Sequence, residues 1–193
     1  MLKDLVIRNR SVRGYDPSVK VSDEELMDMI DCARLSASSR NEQSLKFYIA
    51  NDTESVAIIN SLAKYGRKLP ELHLPFEGTE PPAYIAILQD VSIQSSSAIV
   101  LRDVGLVAEV ITLRAAEMGY GACMVGNYPP DILREKLGLS DGLEIRLLIA
   151  VGKSIEDIRI IEIDEGESTD YYRDENGVHY VPKRKLKDII VNR

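Results

Sequence analysis

The run from Ile145 to Val151 is apolar at every position but one. A half-buried strand alternates apolar and polar residues; this run does not, so it reads as a strand covered on both faces. Ala83 to Leu88 is a second, nearly continuous apolar strand. Around them, stretches with helical spacing alternate with shorter strand-like runs. Such a chain must lay helices against a sheet, which predicts an α/β (α+β) domain.

The helices announce themselves by their ends. Ser22-Asp23-Glu24-Glu25 reads as a capping box, with Leu26, Met29, Ile30, Ala33 and Ala37 recurring behind it. Val56, Ile59 and Leu62 mark a helix capped by Asp52 or Thr53. Val104, Ala108, Ile111, Ala115 and Met118 form a long stripe that stops at Gly119. Pro129-Pro130-Asp131 opens a helix that Gly138 closes. Further strands are expected over Phe47 to Ala50 and Ala122 to Val125. Asn176-Gly177 predicts a hairpin between Tyr171-Tyr172 and His179 to Val181. Lys64 to Pro82 has no periodicity and carries Pro70, Pro75, Pro81 and Pro82. An irregular loop of that length inside a compact domain is a candidate lid. No repeat or composition shift divides the chain, so residues 1–193 read as one domain.

With a formal net charge of −7, the chain is a poor nonspecific binder of nucleic acid. Its apolar runs fall short of the roughly 20 residues a membrane helix needs, and Met1 to Arg13 lacks the apolar core of a signal peptide. A cytoplasmic protein is expected. Cys32 and Cys123 have no metal or Cys-x-x-Cys spacing and read as free thiols. Charge is uneven, however. Arg8, Arg10 and Arg13 crowd the start; Lys183, Arg184, Lys185 and Lys187 crowd the end. Two basic clusters on an acidic chain could converge on one small anion.

Four segments carry chemistry. Arg10-Ser11-Val12-Arg13 follows a short amphipathic helix and offers guanidinium forks suited to phosphate oxygens. Ser38-Ser39-Arg40-Asn41-Glu42-Gln43 supplies small residues that let a backbone approach a flat ligand, plus amides that both donate and accept. In Gly119 to Tyr128, Gly126 and Asn127 end a strand and can present backbone N–H groups. In Lys183-Arg184-Lys185 the two lysines face one way if the segment is extended. Taken singly, each has a bland explanation: a basic turn, a polar loop, strand punctuation, a charged tail. His179 reads as a packed strand residue, and His73 lies in the candidate lid.

The order and spacing of these segments resemble the nitroreductase family over nearly the whole chain. The resemblance implies a mixed, mainly antiparallel sheet flanked by helices, in a homodimer with two FMN sites at the subunit interface. Arg10, Ser11 and Arg13, joined by Lys183 and Lys185, would hold the phosphate and ribityl chain. Ser38, Ser39 and Asn41 would lie along the flavin. Val125, Gly126 and Asn127 would approach its ring, chiefly through backbone. NADH or NADPH would be the electron donor and a nitroaromatic, quinone or similar small molecule the acceptor. The flavin carries the chemistry, so no catalytic side chain is implied. No metal site or membrane partner is expected either.

The chain departs from that pattern at named places. The family often has proline at Ala37, Pro-Trp at Ser44-Leu45, and arginine at Asn9 and at Lys185. The first two shape the pocket and leave the substrate open. The last two reduce the guanidinium count and predict weaker FMN binding. Dehydrogenation or dehalogenation at the same flavin site, or a non-catalytic FMN-binding dimer, are the competing readings. No Gly-x-Gly-x-x-Gly follows a strand, so donor and acceptor are expected to share one face in turn. The long helix, Leu101 to Met118, is expected to contribute to the dimer interface; its stripe alone does not separate interface from core.

Overall fold

The computed structural model describes residues 1–192. In chain order the elements are α1 (Leu2–Arg8), α2 (Asp23–Arg34), β1 (Leu45–Ala50), α3 (Thr53–Leu62), β2 (Ala83–Asp90), α4 (Ser97–Glu117), β3 (Gly121–Val125), α5 (Pro130–Lys136), β4 (Leu143–Gly152), β5 (Ile158–Ile163), β6 (Tyr172–Arg173) and β7 (His179–Arg184). Ser22 caps α2 reciprocally with Glu25, and the Asp52 carboxylate accepts from the N–H groups of Glu54 and Ser55 at the head of α3.

The main sheet is antiparallel with strand order β1-β2-β4-β3. Its central strands explain the continuous apolar runs. Ala83, Ile85 and Ile87 face α2 and α4 through Leu26, Met29, Val104, Ala108 and Ile111. Tyr84, Ala86 and Leu88 face α3 and α5 through Ile59 and Leu133. Both faces are covered, so both registers of side chain must be apolar. This is the expected α+β arrangement: a mainly antiparallel sheet flanked by helices.

A second, three-stranded sheet follows, in the order β5-β7-β6, with β5 parallel to β7. The Asn176-Gly177 hairpin forms as expected. Gly177 takes φ +79°, and the Asp174 carboxylate accepts from the N–H groups of Asn176 and Val178. Strand β5 was not anticipated.

Two expectations are corrected. Helix α2 ends at Arg34, so Ala37 lies outside it. Helix α4 begins at Ser97, ahead of Leu101. Its stripe of Val104, Ala108, Ile111 and Ala115 is buried in the chain's own core and cannot be an interface. The face left outside carries Leu101, Gly105 and Leu106, with the two leucines about half exposed.

Candidate functional site

After α1 the chain turns along the outer edge of β3. Ser11 pairs with Ala122 in a parallel bridge, and the Val12 N–H donates to the Ala122 carbonyl at 3.0 Å. Glycine is required at position 121, because a Cβ there would lie 2.5 Å from Val12 Cγ2. This close approach fixes Arg10 and Ser11 at one end of the edge.

The Arg10 guanidinium folds back and donates to the Val6 carbonyl at 2.6 Å, while its Nε is buried without a partner among the described residues. Burial lowers its pKa, and the charge of Glu109 opposes that shift. Asn9, Arg10, Ser11, Glu109, Thr112 and Met124 surround a pocket of about 200 Å³. An unspent donor beside a hydroxyl and a cavity fits an anionic ligand group.

Four residues along β3 from Ala122, roughly 13 Å by strand rise, the backbone emerges at Gly126 and Asn127. Both are exposed and Val125 is buried. A Cβ on Gly126 would meet nothing within 4 Å, so its bareness serves no neighbour among the described residues. The Asn127 carbonyl accepts from the Lys64 N–H at 2.9 Å, which ties the start of the 64–82 loop to this end of the edge.

The serine loop is built differently. Arg40, Asn41 and Gln43 adopt φ of 55°, 57° and 50°, left-handed values that non-glycine residues take at a cost. What holds them is Asp103 of α4, 3% exposed. Its carboxylate accepts from the Ser38 hydroxyl at 2.9 Å, the Ser39 hydroxyl at 2.7 Å and the Ser39 N–H at 2.9 Å. Burial pushes its pKa up, but these donors outweigh burial and hold it below the ordinary carboxylate value. The loop rims a cavity of about 270 Å³ lined by Ala37, Ser38, Asn41, Gln43, Leu45 and Phe47, among others.

One chain therefore brings Arg10 and Ser11 together, lays Val125, Gly126 and Asn127 along the same edge, and gathers Ser38, Ser39 and Asn41 at the head of β1. It does not join the two groups. They lie at opposite edges of the sheet, three strand spacings or roughly 14 Å apart.

Arg13 turns away from Arg10. Its N–H donates to the Glu156 carboxylate at 2.6 Å, and its guanidinium lies 4.8 Å from the Tyr171 ring centre and 3.4 Å from His179 Nε2. His179 is buried, as expected of a packed strand residue. Burial first, then Arg13 and Arg173, pull its pKa down to about 4. Lys183 and Arg184 of the C-terminal cluster lie on the second sheet, on the strand that starts at His179 beside Arg13. Strand β7 runs parallel to β5, setting Lys183 opposite Glu162, and Lys185 pairs with Asp164 at 2.6 Å. The anion between like-facing lysines is, for Lys185, the chain's own carboxylate.

Sequence reading missed Asp103 and Glu109. The available signal for Asp103 was an acid between Val100 and Val104 on the buried side of a helix, where a carboxylate needs partners.

The model of the nitroreductase family matches residues 7–153. A curated protein of Archaeoglobus fulgidus, named "Putative NADH dehydrogenase/NAD(P)H nitroreductase", is 25% identical over 165 residues, covering 83% of this chain and 90% of its own. A nitroreductase family protein from Streptococcus pneumoniae TIGR4 aligns over 100% of both chains with a TM-score of 0.71 at 19% identity. A structure from Exiguobacterium sibiricum 255-15, in complex with FMN, has a TM-score of 0.66 at 24% identity and covers 81% of this chain and 89% of its own. The family match spans both the β3 edge and the serine loop, and the chain belongs to the nitroreductase family.

Proposed function

We propose that this chain is an FMN-dependent oxidoreductase that passes electrons from NADH or NADPH to a nitroaromatic, quinone or similar acceptor in the cytoplasm. The observation that carries the reading is the β3 edge. An unpartnered guanidinium Nε and a serine stand at one end, and a bare glycine with exposed backbone stands at the other. The two ends are roughly 13 Å apart by strand rise, so one ligand could meet both. A structural neighbour in complex with FMN and a curated relative named for NAD(P)H support the same assignment.

FMN, when bound, would supply two-electron hydride chemistry between nicotinamide and acceptor. The chain's part is to hold and to shield. Arg10 and Ser11 meet the phosphate through charge-assisted hydrogen bonds. Gly126 and Asn127 present backbone to the ring. The serine loop, fixed by Asp103, supplies Asn41 as a mixed donor and acceptor. Because it lies at the opposite edge of the same sheet, it reaches the β3 edge from a second copy of the chain. The proposal is thus a homodimer with each site built from both copies. The exposed face of α4 is its contact, where Gly105 sits in a helix interior and an added Cβ would meet nothing within 4 Å among the described residues. Residues 64–82 start at Asn127 and would close over the shared donor and acceptor face, which makes the kinetics ping-pong. The test is FMN titration of the purified protein followed by NAD(P)H oxidation with and without a quinone.

A further inference from the structure

Arg10 lines two pockets, one with Arg8, Lys153 and Glu156 and one with Ser11 and Glu109; the second, which faces the β3 edge, is electrically balanced before any ligand enters. Among the residues that line it, Arg10 is the cation and Glu109 the anion; Asn9, Ser11, Thr112, Ala122 and Met124 are neutral. Part of the guanidinium is already committed to the Val6 carbonyl. Asn9 adds no charge: its amide donates to the Thr112 hydroxyl at 2.9 Å and to the Glu109 carboxylate at 3.3 Å. Lys183 and Lys185 are not among the lining residues, and Lys185 is neutralised by Asp164.

A phosphate monoester brings a charge of about −1.5 to −2 at neutral pH. Placed in this pocket, it gains Arg10 and is opposed by Glu109. A hydroxyl in the same place meets no such conflict, because a carboxylate is a strong acceptor for an O–H donor. The Thr112 hydroxyl and the Asn9 amide are further neutral partners for an alcohol chain.

We infer that Glu109 sets the choice of flavin: it offsets the hold of Arg10 on the phosphate of FMN, so that riboflavin competes on nearly equal terms. The inference rests on the flavin reading above. It makes the flavin of this protein exchangeable, bound mainly through ring and ribityl contacts. At separations of about 6 Å in a water-like dielectric, one unit charge facing a dianion alters affinity about tenfold. Salt screens this term and leaves the ring contacts unchanged.

The experiment is fluorescence titration of FMN and of riboflavin, separately, into the wild-type chain, Glu109→Gln and Glu109→Ala, at low and moderate salt. Circular dichroism checks that each variant is folded. The wild type is expected to hold both flavins within about threefold of one another. Both variants should bind FMN about tenfold more tightly at low salt, with riboflavin unchanged or slightly weaker. Strong wild-type preference for FMN, or equal responses of the two flavins to both variants, overturns the role of Glu109 while leaving the flavin site intact. Failure of either flavin to bind any of the three proteins overturns the flavin reading and this inference with it.

Discussion

The carboxylate of Asp103 and the backbone N–H of Ser39 meet at 2.9 Å across the junction of α4 and the serine loop. With the two serine hydroxyls on the same carboxylate, a buried charge is exchanged for three fixed donors. The neighbouring left-handed residues Arg40, Asn41 and Gln43 stay in place because this clamp does not yield.

Replacing Asp103 with Ala should therefore act on both stability and binding. The loss of hydrogen bonds to a charged acceptor, leaving the half-buried Ser39 N–H unpaired, costs roughly 2–3 kcal/mol. The denaturant midpoint should fall accordingly, and FMN affinity should fall with it as the loop relaxes. Urea unfolding and FMN titration of the same variant check the two effects. A stable variant with unchanged FMN affinity would remove Asp103 from the account.

Arg10→Ala removes the cation of the phosphate pocket. The charge-assisted bond it would make is worth roughly 1.5–3 kcal/mol, or about one to two decades in Kd for FMN. Riboflavin affinity should change much less. Equal losses for both ligands would mean that Arg10 acts through the fold instead.

The exposed face of α4 carries Leu101, Gly105 and Leu106. If it joins two copies, Leu106→Glu should give a monomer in sedimentation and should lose FMN binding at the same time, since half of each site comes from the partner. A wild-type monomer at micromolar concentration contradicts the proposed assembly, as does a monomeric variant that still binds FMN normally.

His179 gives a pH signature. Its folded pKa of about 4 lies below the ordinary imidazole value, so the neutral form is favoured by folding. The unfolded chain binds the proton first as pH falls. Stability from this group is complete above about 6.5 and declines toward pH 4, by at most about 3 kcal/mol. His179→Gln should flatten that part of the stability profile. The same slope in both proteins would assign it to other groups.

The sheet was legible because its central strands must be apolar on both faces, and the helices because Ser22, Asp52 and Gly119 mark their ends. The N-terminal and serine motifs were legible as segments, since each is local in sequence. What was not legible is how segments meet. The stripe on α4 satisfies core and interface equally well in sequence, and its burial against Ala83, Ile85 and Ile87 decides for the core. Charge shows Lys183 as part of a basic cluster, but not that the β5–β7 pairing sets it on the second sheet opposite Glu162. Asp103 and Glu109 are single acids on a mostly apolar helix, and their partners lie 64 and 100 residues away. Strand β5 has Arg159 and Glu162 set among its isoleucines and belongs to the small second sheet, outside the pattern of continuous apolar runs.

The central claim is that the β3 edge holds a redox-active flavin. Its most direct test is anaerobic: the purified chain is saturated with FMN, mixed with NADH or NADPH, and the flavin's visible absorption is followed before and after adding a quinone. The account predicts bleaching by the nicotinamide, return of the colour with the quinone, and parallel double-reciprocal lines in steady-state turnover. A protein that takes up no FMN, or a bound flavin that neither nucleotide bleaches, would contradict it.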